Sequence, residues 1–200
     1  TIGSASGTVD GLLPGTALIT YSLGKGCGDA VDTIKVIDAP GPITGVPNFC
    51  EGTATQLSNA IGGGKWTGSN TAIATVGSSS GLVSGVAPGT AIVTYSIGGS
   101  CEDTIVVAVD AMPDPGNING DTTVCVGRKI QLTPTVATGI WGSSDGAIAP
   151  VSASGEVTGM MPGSAVIIYT VSAATCTTSI TWPIIVFPLP DPGVISGQDT

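Results

Sequence analysis

The chain has 200 residues, including 31 Gly and no His, and it carries a formal net charge of −9. Without His it lacks the commonest general base and the commonest metal ligand, which argues against most hydrolase mechanisms. The acidic balance argues against a nucleic-acid partner, which needs a basic surface, and no apolar run approaches the roughly 18 residues of a membrane-spanning helix. We therefore expect no nucleic-acid binding, no membrane insertion and no enzyme.

An internal repeat runs through the chain, with a period of roughly 75 residues. The phrases GTVDGLLPGTALITYS, GLVSGVAPGTAIVTYS and GEVTGMMPGSAVIIYT place Tyr21, Tyr95 and Tyr169 at equal intervals. Proline-rich junctions at 38–45, 110–120 and 187–197 mark the repeat boundaries.

These boundaries predict the domain organisation. Two complete repeats are expected at 40–112 and 113–189, with the C-terminal part of an earlier repeat at 1–39 and the start of a further one at 190–200. We interpret the chain as a window on a longer tandem array, whose Pro-rich linkers make it a semi-rigid rod.

The residue pattern within each repeat favours strands. Short β-branched stretches such as 91–95 and 104–109 alternate with turn residues every 8–12 positions. For 40–112 the pattern predicts strands near 42–45, 53–60, 64–67, 72–76, 82–86, 90–97 and 103–110. Seven short strands in one repeat predict an all-β fold of immunoglobulin-like sandwiches in a linear array.

The cysteines also fit this fold. Cys50 and Cys101 have the same spacing as Cys125 and Cys176, and a tryptophan (Trp66 or Trp141) follows each first cysteine at one fixed interval. This cysteine, tryptophan, cysteine order is typical of immunoglobulin domains. We predict the disulfides Cys50–Cys101 and Cys125–Cys176, with both tryptophans buried beside them.

Cys27 is left over by this pairing. We expect its partner before residue 1, and the alternative is a free thiol. A zinc site is disfavoured because the chain has no C-x-x-C sequence. Disulfides also predict an extracellular or cell-surface location.

The stretch from Trp66 through SNTAIATV and GLVSGVAPGTAIVTYS resembles the group 2 bacterial immunoglobulin-like domain, and the stretch from Trp141 is similar to it. The cysteine pair and the P-x-PG junctions resemble tandem repeats of very large secreted surface proteins of Bacteroidota. This resemblance implies a stalk or fibre body, with binding at a tip or in other modules.

The sequence at 77–81, GSSSG, fits the G-x-S-x-G nucleophile pattern, but it precedes a predicted strand in a chain without His. We therefore interpret it as a loop. The glycine-rich segments at 24–26 and 62–65 lack P-loop spacing and are interpreted as hairpin turns.

Acidic residues cluster at the junctions, where they offer oxygen ligands for an inter-domain Ca²⁺. They are Asp110, Asp114 and Asp121 at one junction, and Asp38, Asp191 and Asp199 at the others. Ordinary turn chemistry is the alternative, because Asp is common in Pro-Gly turns. We expect no other cofactor.

Three Asp-Thr pairs resemble the O-glycosylation sequence of Bacteroidota, which implies glycans on Thr33, Thr104 and Thr122. The alternative is that each is a strand-favouring Thr after a turn Asp.

Two classes of function remain. The first is a structural repeat segment of an extracellular filament, stalk or adhesin, whose partners are neighbouring repeats and other copies in a fibre. The second is a glycan- or ligand-binding module of a secreted adhesin or enzyme. Trp182 bears on this choice, since it either packs at a junction or forms an exposed platform for a surface glycan.

Overall fold

The computed structural model describes residues 2, 6–23, 28–98, 101–191 and 193. Every helix or strand assigned in this part of the chain is a β-strand, so the predicted all-β class is confirmed. The strands are β1 (Gly15–Ser22), β2 (Asp29–Val36), β3 (Asn48–Cys50), β4 (Ala54–Gln56), β5 (Lys65–Gly68), β6 (Ala74–Val76), β7 (Leu82–Gly85), β8 (Gly89–Ser96), β9 (Glu102–Asp110), β10 (Ile118–Asn119), β11 (Thr123–Cys125), β12 (Lys129–Gln131), β13 (Thr133–Pro134), β14 (Ile140–Ser143), β15 (Glu156–Thr158), β16 (Gly163–Ala173) and β17 (Cys176–Phe187).

The chain divides into two compact units. Unit 1 comprises Thr1–Pro47, Ala54–Ser84 and Thr90–Val107, and unit 2 comprises Asn48–Thr53, Gly85–Gly89 and Ala108–Thr200.

Unit 1 contains the β1–β2 hairpin, a three-stranded sheet in the order β4-β7-β6, and the antiparallel pair β5–β8. Val83 and Val93 are completely or almost completely buried. A Cβ on Gly81 would lie 2.9 Å from the Trp66 ring, so the turn before β7 packs closely on β5. This close approach holds two strand layers around one apolar core.

Unit 2 is built around the long antiparallel hairpin β16–β17. β14 pairs with β16, β11 lies parallel to the end of β17, and β12 pairs with β15. Its core contains the fully buried aliphatic residues Val157, Ile167 and Ile184 from these strands, and Leu132 between β12 and β13. Alternation along β16 explains this, since Ala165, Ile167, Tyr169 and Val171 share its buried face.

The two four-stranded sheets have the same strand order. One is β3-β9-β8-β5 and the other is β11-β17-β16-β14. In each, the short first strand runs parallel to the end of the last strand, so that Cys50 pairs with Asp110 and Cys125 with Phe187. These sheets and the smaller sheets beside them form immunoglobulin-like β-sandwiches, as predicted.

The strand predictions for 40–112 succeed where alternation is long enough to detect. The predicted strands at 64–67, 82–86, 90–97 and 103–110 each lie within one residue of an observed strand. The prediction missed β3, because three residues after Pro47 carry too little alternation. The strand predicted at 42–45 is only a bridge between Thr44 and Ser58.

Each core tryptophan packs on the tyrosine opposite it in the neighbouring strand. The ring centroids of Trp66 and Tyr95 are 4.5 Å apart, and those of Trp141 and Tyr169 are also 4.5 Å apart. Trp66 is buried as predicted, whereas Trp141 is half-buried. The expected packing beside intra-repeat disulfides is wrong, because those disulfides do not form.

The predicted pairs Cys50–Cys101 and Cys125–Cys176 are replaced by Cys50–Cys176, while Cys101 and Cys125 are free thiols. Strand geometry is the reason. Cys176 begins β17 and Cys125 pairs with Phe187 at its end. Eleven residue steps of about 3.3 Å separate these positions by roughly 36 Å, whereas a disulfide needs Cα atoms within about 7 Å. In the same way, Cys50 pairs with Asp110 at the end of β9, nine residues after Cys101, so Cys50 and Cys101 are also too far apart to bond.

Among the described residues, no helix has the length and apolar character needed to cross a membrane.

Candidate functional site at the Cys50–Cys176 disulfide

The disulfide joins two residues that are 126 positions apart in the sequence. Cys50 is the last residue of β3, and Cys176 is the first residue of β17. Their Cα atoms lie 5.7 Å apart, and both residues belong to unit 2. The bond therefore connects a residue of the predicted repeat 40–112 to one of the predicted repeat 113–189.

A two-residue turn presents Cys176 at the tip of the β16–β17 hairpin. Ala173 pairs with Cys176, so Ala174 and Thr175 form the turn between them. Ala174 has a φ of +50°, which is uncommon for a residue with a side chain. This tight turn leaves Thr175 exposed and Cys176 almost fully buried.

Asp110 anchors the hairpin tip beside Cys50. Its carboxylate Oδ2 accepts a hydrogen bond from the Thr175 hydroxyl at 3.1 Å. Its carbonyl oxygen accepts the Glu51 N–H at 2.9 Å and lies 3.9 Å from Cys176 Sγ. Asp110 thus contacts both sides of the crosslink, with its side chain on one and its backbone on the other.

The loop after Cys50 is fixed by its own hydrogen bonds. The Cys50 carbonyl oxygen accepts the Thr53 N–H at 3.1 Å and the Thr53 hydroxyl at 2.7 Å. Gly52 N–H donates to the Gly85 carbonyl, and Gly85 N–H donates to the Thr53 carbonyl. These bonds set the position of the Cys50 backbone independently of the disulfide.

The other cysteines are placed differently. Cys125 is exposed at the end of β11, and Cys101 is half-buried just before β9. Cys27 lies outside the described residues. Of the predicted disulfide residues, the structure therefore brings together only Cys50 and Cys176.

The three candidate glycosylation residues are all exposed. Thr33 lies in β2 opposite Leu18, Thr104 lies near the start of β9, and Thr122 immediately precedes β11. Exposure makes each hydroxyl reachable by a modifying enzyme, and the modification itself stays a prediction.

Two of the junction carboxylates, those of Asp114 and Asp191, accept hydrogen bonds within turns. Asp114 Oδ1 accepts the Gly116 N–H at 2.8 Å, and Asp191 Oδ1 accepts the Gly193 N–H at 3.0 Å. Within the described ranges, no group of three or more acidic or cysteine side chains is arranged to hold a metal ion. These hydrogen bonds are the ordinary turn chemistry of Asp in Pro-Gly segments. Asp199 lies outside the described residues.

Trp182 packs against the core of unit 2. Its side chain is half-buried against the unit 2 core. The indole Nε1–H donates to the Asp121 carbonyl at 3.3 Å. The polar end of the ring is therefore already engaged with the backbone.

The 77–81 segment is the turn between β6 and β7, as predicted. Gly77 N–H donates to the Leu82 carbonyl, and Gly81 N–H donates to the Gly77 carbonyl. The hairpin turn predicted at 62–65 is wrong, because this segment connects β4 and β5, which pair with β7 and β8 and not with each other. Residues 24–26 lie outside the described residues.

Sequence reasoning missed Asp110, Ala174 and Thr175 as parts of the crosslink. One signal was available. Cys176 follows its repeat tyrosine, Tyr169, by one position more than Cys101 follows Tyr95, so the second hairpin tip carries one additional residue.

Comparison with known proteins gives one curated relative of significant similarity and several structural neighbours. No protein-family model matches the chain. Ice-binding protein 1 of Shewanella frigidimarina (strain NCIMB 400) is 30% identical over 196 residues, which cover 82% of this chain and 21% of that protein. The chain thus spans about a fifth of this relative's length.

Among solved structures, the chain is similar to the C-terminal 282-residue fragment of intimin, solved in complex with the intimin-binding domain of the translocated intimin receptor. The TM-score is 0.46 at 18% identity, over 76% of this chain and 64% of that one. It is also similar to invasin, a bacterial integrin-binding protein, with a TM-score of 0.48 at 14% identity over 87% of this chain and 46% of that one. A SusE-like surface-located polysaccharide-binding protein from Bacteroides thetaiotaomicron gives 0.35 at 10% identity, over 94% and 41%.

Proposed function

We propose that the chain is a structural segment of an extracellular filament, cell-surface stalk or adhesin, built from tandem repeats and without catalytic activity. The Cys50–Cys176 disulfide carries this proposal, because it bonds residues of two consecutive predicted repeats. A covalent bond between successive repeats resists their separation when the chain is pulled. A domain that acts alone gains nothing comparable from such a crosslink.

The chemistry of the chain supports an extracellular role. A structural disulfide persists in oxidising compartments and is rare in the reducing cytosol. Each repeat is small, so covalent support compensates for a limited core. The chain matches only 21% of the ice-binding relative, so we carry no activity from that protein to this chain.

The same composition supports a role without catalysis. The chain has no His, and the nucleophile-like sequence at 77–81 is a turn between strands. We propose that its partners are neighbouring repeats and other copies in a fibre, whereas surface glycans are the partners that the alternative function below would require. The resemblance of the repeats to group 2 bacterial immunoglobulin-like domains of Bacteroidota surface proteins supports this proposal.

The alternative was a glycan- or ligand-binding module, and it depended on an exposed aromatic platform at Trp182. That side chain packs on the core and donates its N–H to Asp121. We therefore favour the structural role over this alternative.

Electron microscopy of the native assembly, with an antibody raised against residues 40–189, tests the proposal. We expect labelled threads or fibres at the cell surface or in the medium. Mass spectrometry of the labelled material should give a parent chain with more copies of the repeat. Labelled material consisting of isolated globular monomers of about this length would refute the filament role.

A further inference from the structure

We propose that Cys125 is a second disulfide site, which bonds the hairpin-tip cysteine of a following copy of this repeat as Cys50 bonds Cys176. The inference rests on the proposed tandem-repeat function. It is carried by the equivalent backbone surroundings of Cys50 and Cys125 in unit 2, where Cys50 is disulfide-bonded and Cys125 is an exposed thiol.

The backbone around Cys125 repeats that around Cys50. Each cysteine ends a three-residue strand that lies parallel to the end of the last strand of its sheet. The next residue after each cysteine donates its N–H to that last strand, from Glu51 to Asp110 and from Val126 to Phe187, both at 2.9 Å.

The following loop is also the same. The carbonyl oxygens of Cys50 and Cys125 accept N–H groups from Thr53 at 3.1 Å and from Arg128 at 3.0 Å. A glycine ladder closes both loops, through Gly52 and Gly85 in one and Gly127 and Gly159 in the other. The backbone hydrogen bonds that position Cys50 are therefore repeated at Cys125, whereas the bond from the Thr53 hydroxyl to the Cys50 carbonyl has no counterpart at Arg128.

Two apolar side chains at and just after the end of β17, the strand that Cys125 pairs with, are exposed in the described part of the chain. Phe187, the partner of Cys125 in the register, is 49% exposed, and Leu189 is 62% exposed. A docked hairpin tip would remove part of this surface from water, which is favourable. Phe187 stands where Asp110 stands at the bonded site, so the acceptor for a Thr175-like hydroxyl is missing here.

The bond forms by thiol–disulfide exchange. The Cys125 thiolate attacks a small disulfide such as oxidised glutathione, and one glutathione thiolate leaves. The second cysteine thiolate then attacks the mixed disulfide, and the second glutathione leaves. Two protein thiols are oxidised, and one glutathione disulfide is reduced to two thiols.

The sequence permits a direct test with an extended chain. Residues 190–193 repeat the sequence of residues 113–116, and Thr200 corresponds to Thr123. In the extended chain, a second copy of residues 124–189 is therefore attached after residue 200, so that the repeat continues in register. The second copy carries Cys125→Ser, to remove an ambiguous thiol, and Thr177→Ser, as a mass label for its Cys176 peptide.

The reduced protein is treated with oxidised glutathione, alkylated and digested without reductant. We expect Cys125 to be bonded to the labelled Cys176 peptide, with Cys50–Cys176 retained. The extended chain should lose two more thiols than the 200-residue chain, and Cys101→Ser should leave both bonds in place. Cys125→Ser in the first copy should leave the labelled Cys176 alkylated.

Phe187→Asp in the extended chain introduces a carboxylate at the position that Asp110 occupies at the bonded site, where it can accept a hydrogen bond from the Thr175 hydroxyl of the second copy. The fraction of Cys125 in the disulfide should then be at least as high as with Phe187. An alkylated Cys125 in both extended chains overturns the proposal. Bonding of Cys125 to Cys101, or between chains while the labelled Cys176 stays alkylated, also overturns it. If the native material forms fibres but Cys125 stays unbonded, only the proposed second disulfide is rejected. If the Cys125 disulfide forms in the extended chain but the native material is monomeric, only the filament role is rejected.

Discussion

Cys125 and Cys176 lie at opposite ends of one strand ladder: Cys125 pairs with Phe187, the last residue of the strand that Cys176 begins. A pair of cysteines within this repeat therefore cannot close a bond. The hairpin tip carrying Cys176 instead reaches Cys50, at the end of a different sheet in the same compact unit. The disulfide consequently joins residues of two predicted repeats within one compact unit.

The double variant Cys50→Ser/Cys176→Ser should lower the free energy of unfolding by up to about 5 kcal/mol, the value that the chain-entropy model gives for a loop of 126 residues. Thermal unfolding of the oxidised protein measures it. The matched control, Cys101→Ser/Cys125→Ser, should change the stability by less than about 0.5 kcal/mol, because it removes no bond. A non-reducing peptide map that links Cys50 to Cys101 would contradict the pairing.

Tyr169→Phe should destabilise unit 2 by about 1–3 kcal/mol, because it removes a buried hydroxyl on which two backbone groups depend. The hydroxyl accepts the Gly139 N–H at 2.7 Å and donates to the Val136 carbonyl, and both groups lose this partner. Urea unfolding gives the difference. Tyr21→Phe is the matched control, because Tyr21 is 65% exposed, and it should be nearly neutral. Equal effects of the two substitutions would refute this role of the hydroxyl.

Gly139→Ala should destabilise unit 2 by about 1–3 kcal/mol through overpacking. The added Cβ would lie 2.4 Å from the Tyr169 ring and 2.8 Å from the Thr170 carbonyl oxygen. Gly146→Ala serves as the control, since a Cβ there meets nothing within 4 Å. Differential scanning calorimetry of the two variants should show a lower Tm only for Gly139→Ala. An unchanged Tm would mean that the loop moves aside at little cost.

Two neighbouring substitutions in β12 should differ in effect. Gln131 Nε2 donates to the Leu132 carbonyl at 2.8 Å and to the Ser154 carbonyl at 2.7 Å, joining two loops. Gln131→Ala should therefore cost about 1–2 kcal/mol, since this exposed side chain loses two hydrogen bonds worth about 0.5–1 kcal/mol each. Lys129→Ala breaks a 2.6 Å ion pair with Glu156 and should cost at most about 1 kcal/mol, because both side chains are largely exposed. The reverse order in urea unfolding would contradict this explanation.

Thr33, Thr104 and Thr122 should carry glycans in protein isolated from its native host. Each side chain is exposed, and each residue follows an aspartate. Intact-mass measurement should show a sugar mass that falls stepwise in Thr104→Ala and in the triple alanine variant. Thr104→Ser, which keeps a hydroxyl, should retain the modification. A native mass equal to that of the bare polypeptide would reject the prediction.

The sequence by itself determined the all-β class and most of the long strands. Alternation in 90–97 and 103–110 directly reports which side chains face a core, and the glycines at turns mark where strands end. It also identified Trp66 as a core residue, from the cysteine, tryptophan, cysteine order that is typical of immunoglobulin domains. These features depend on local sequence.

Only the tertiary structure decided which cysteines bond. Sequence spacing makes Cys50–Cys101 and Cys125–Cys176 look equivalent, but the first strand lies beside the end of the last strand. This parallel register moves the two cysteines of a repeat far apart and leaves Cys50 next to the turn at Ala174 and Thr175. Register and hairpin-tip position arise from packing between distant segments, and residue spacing along the chain does not contain them.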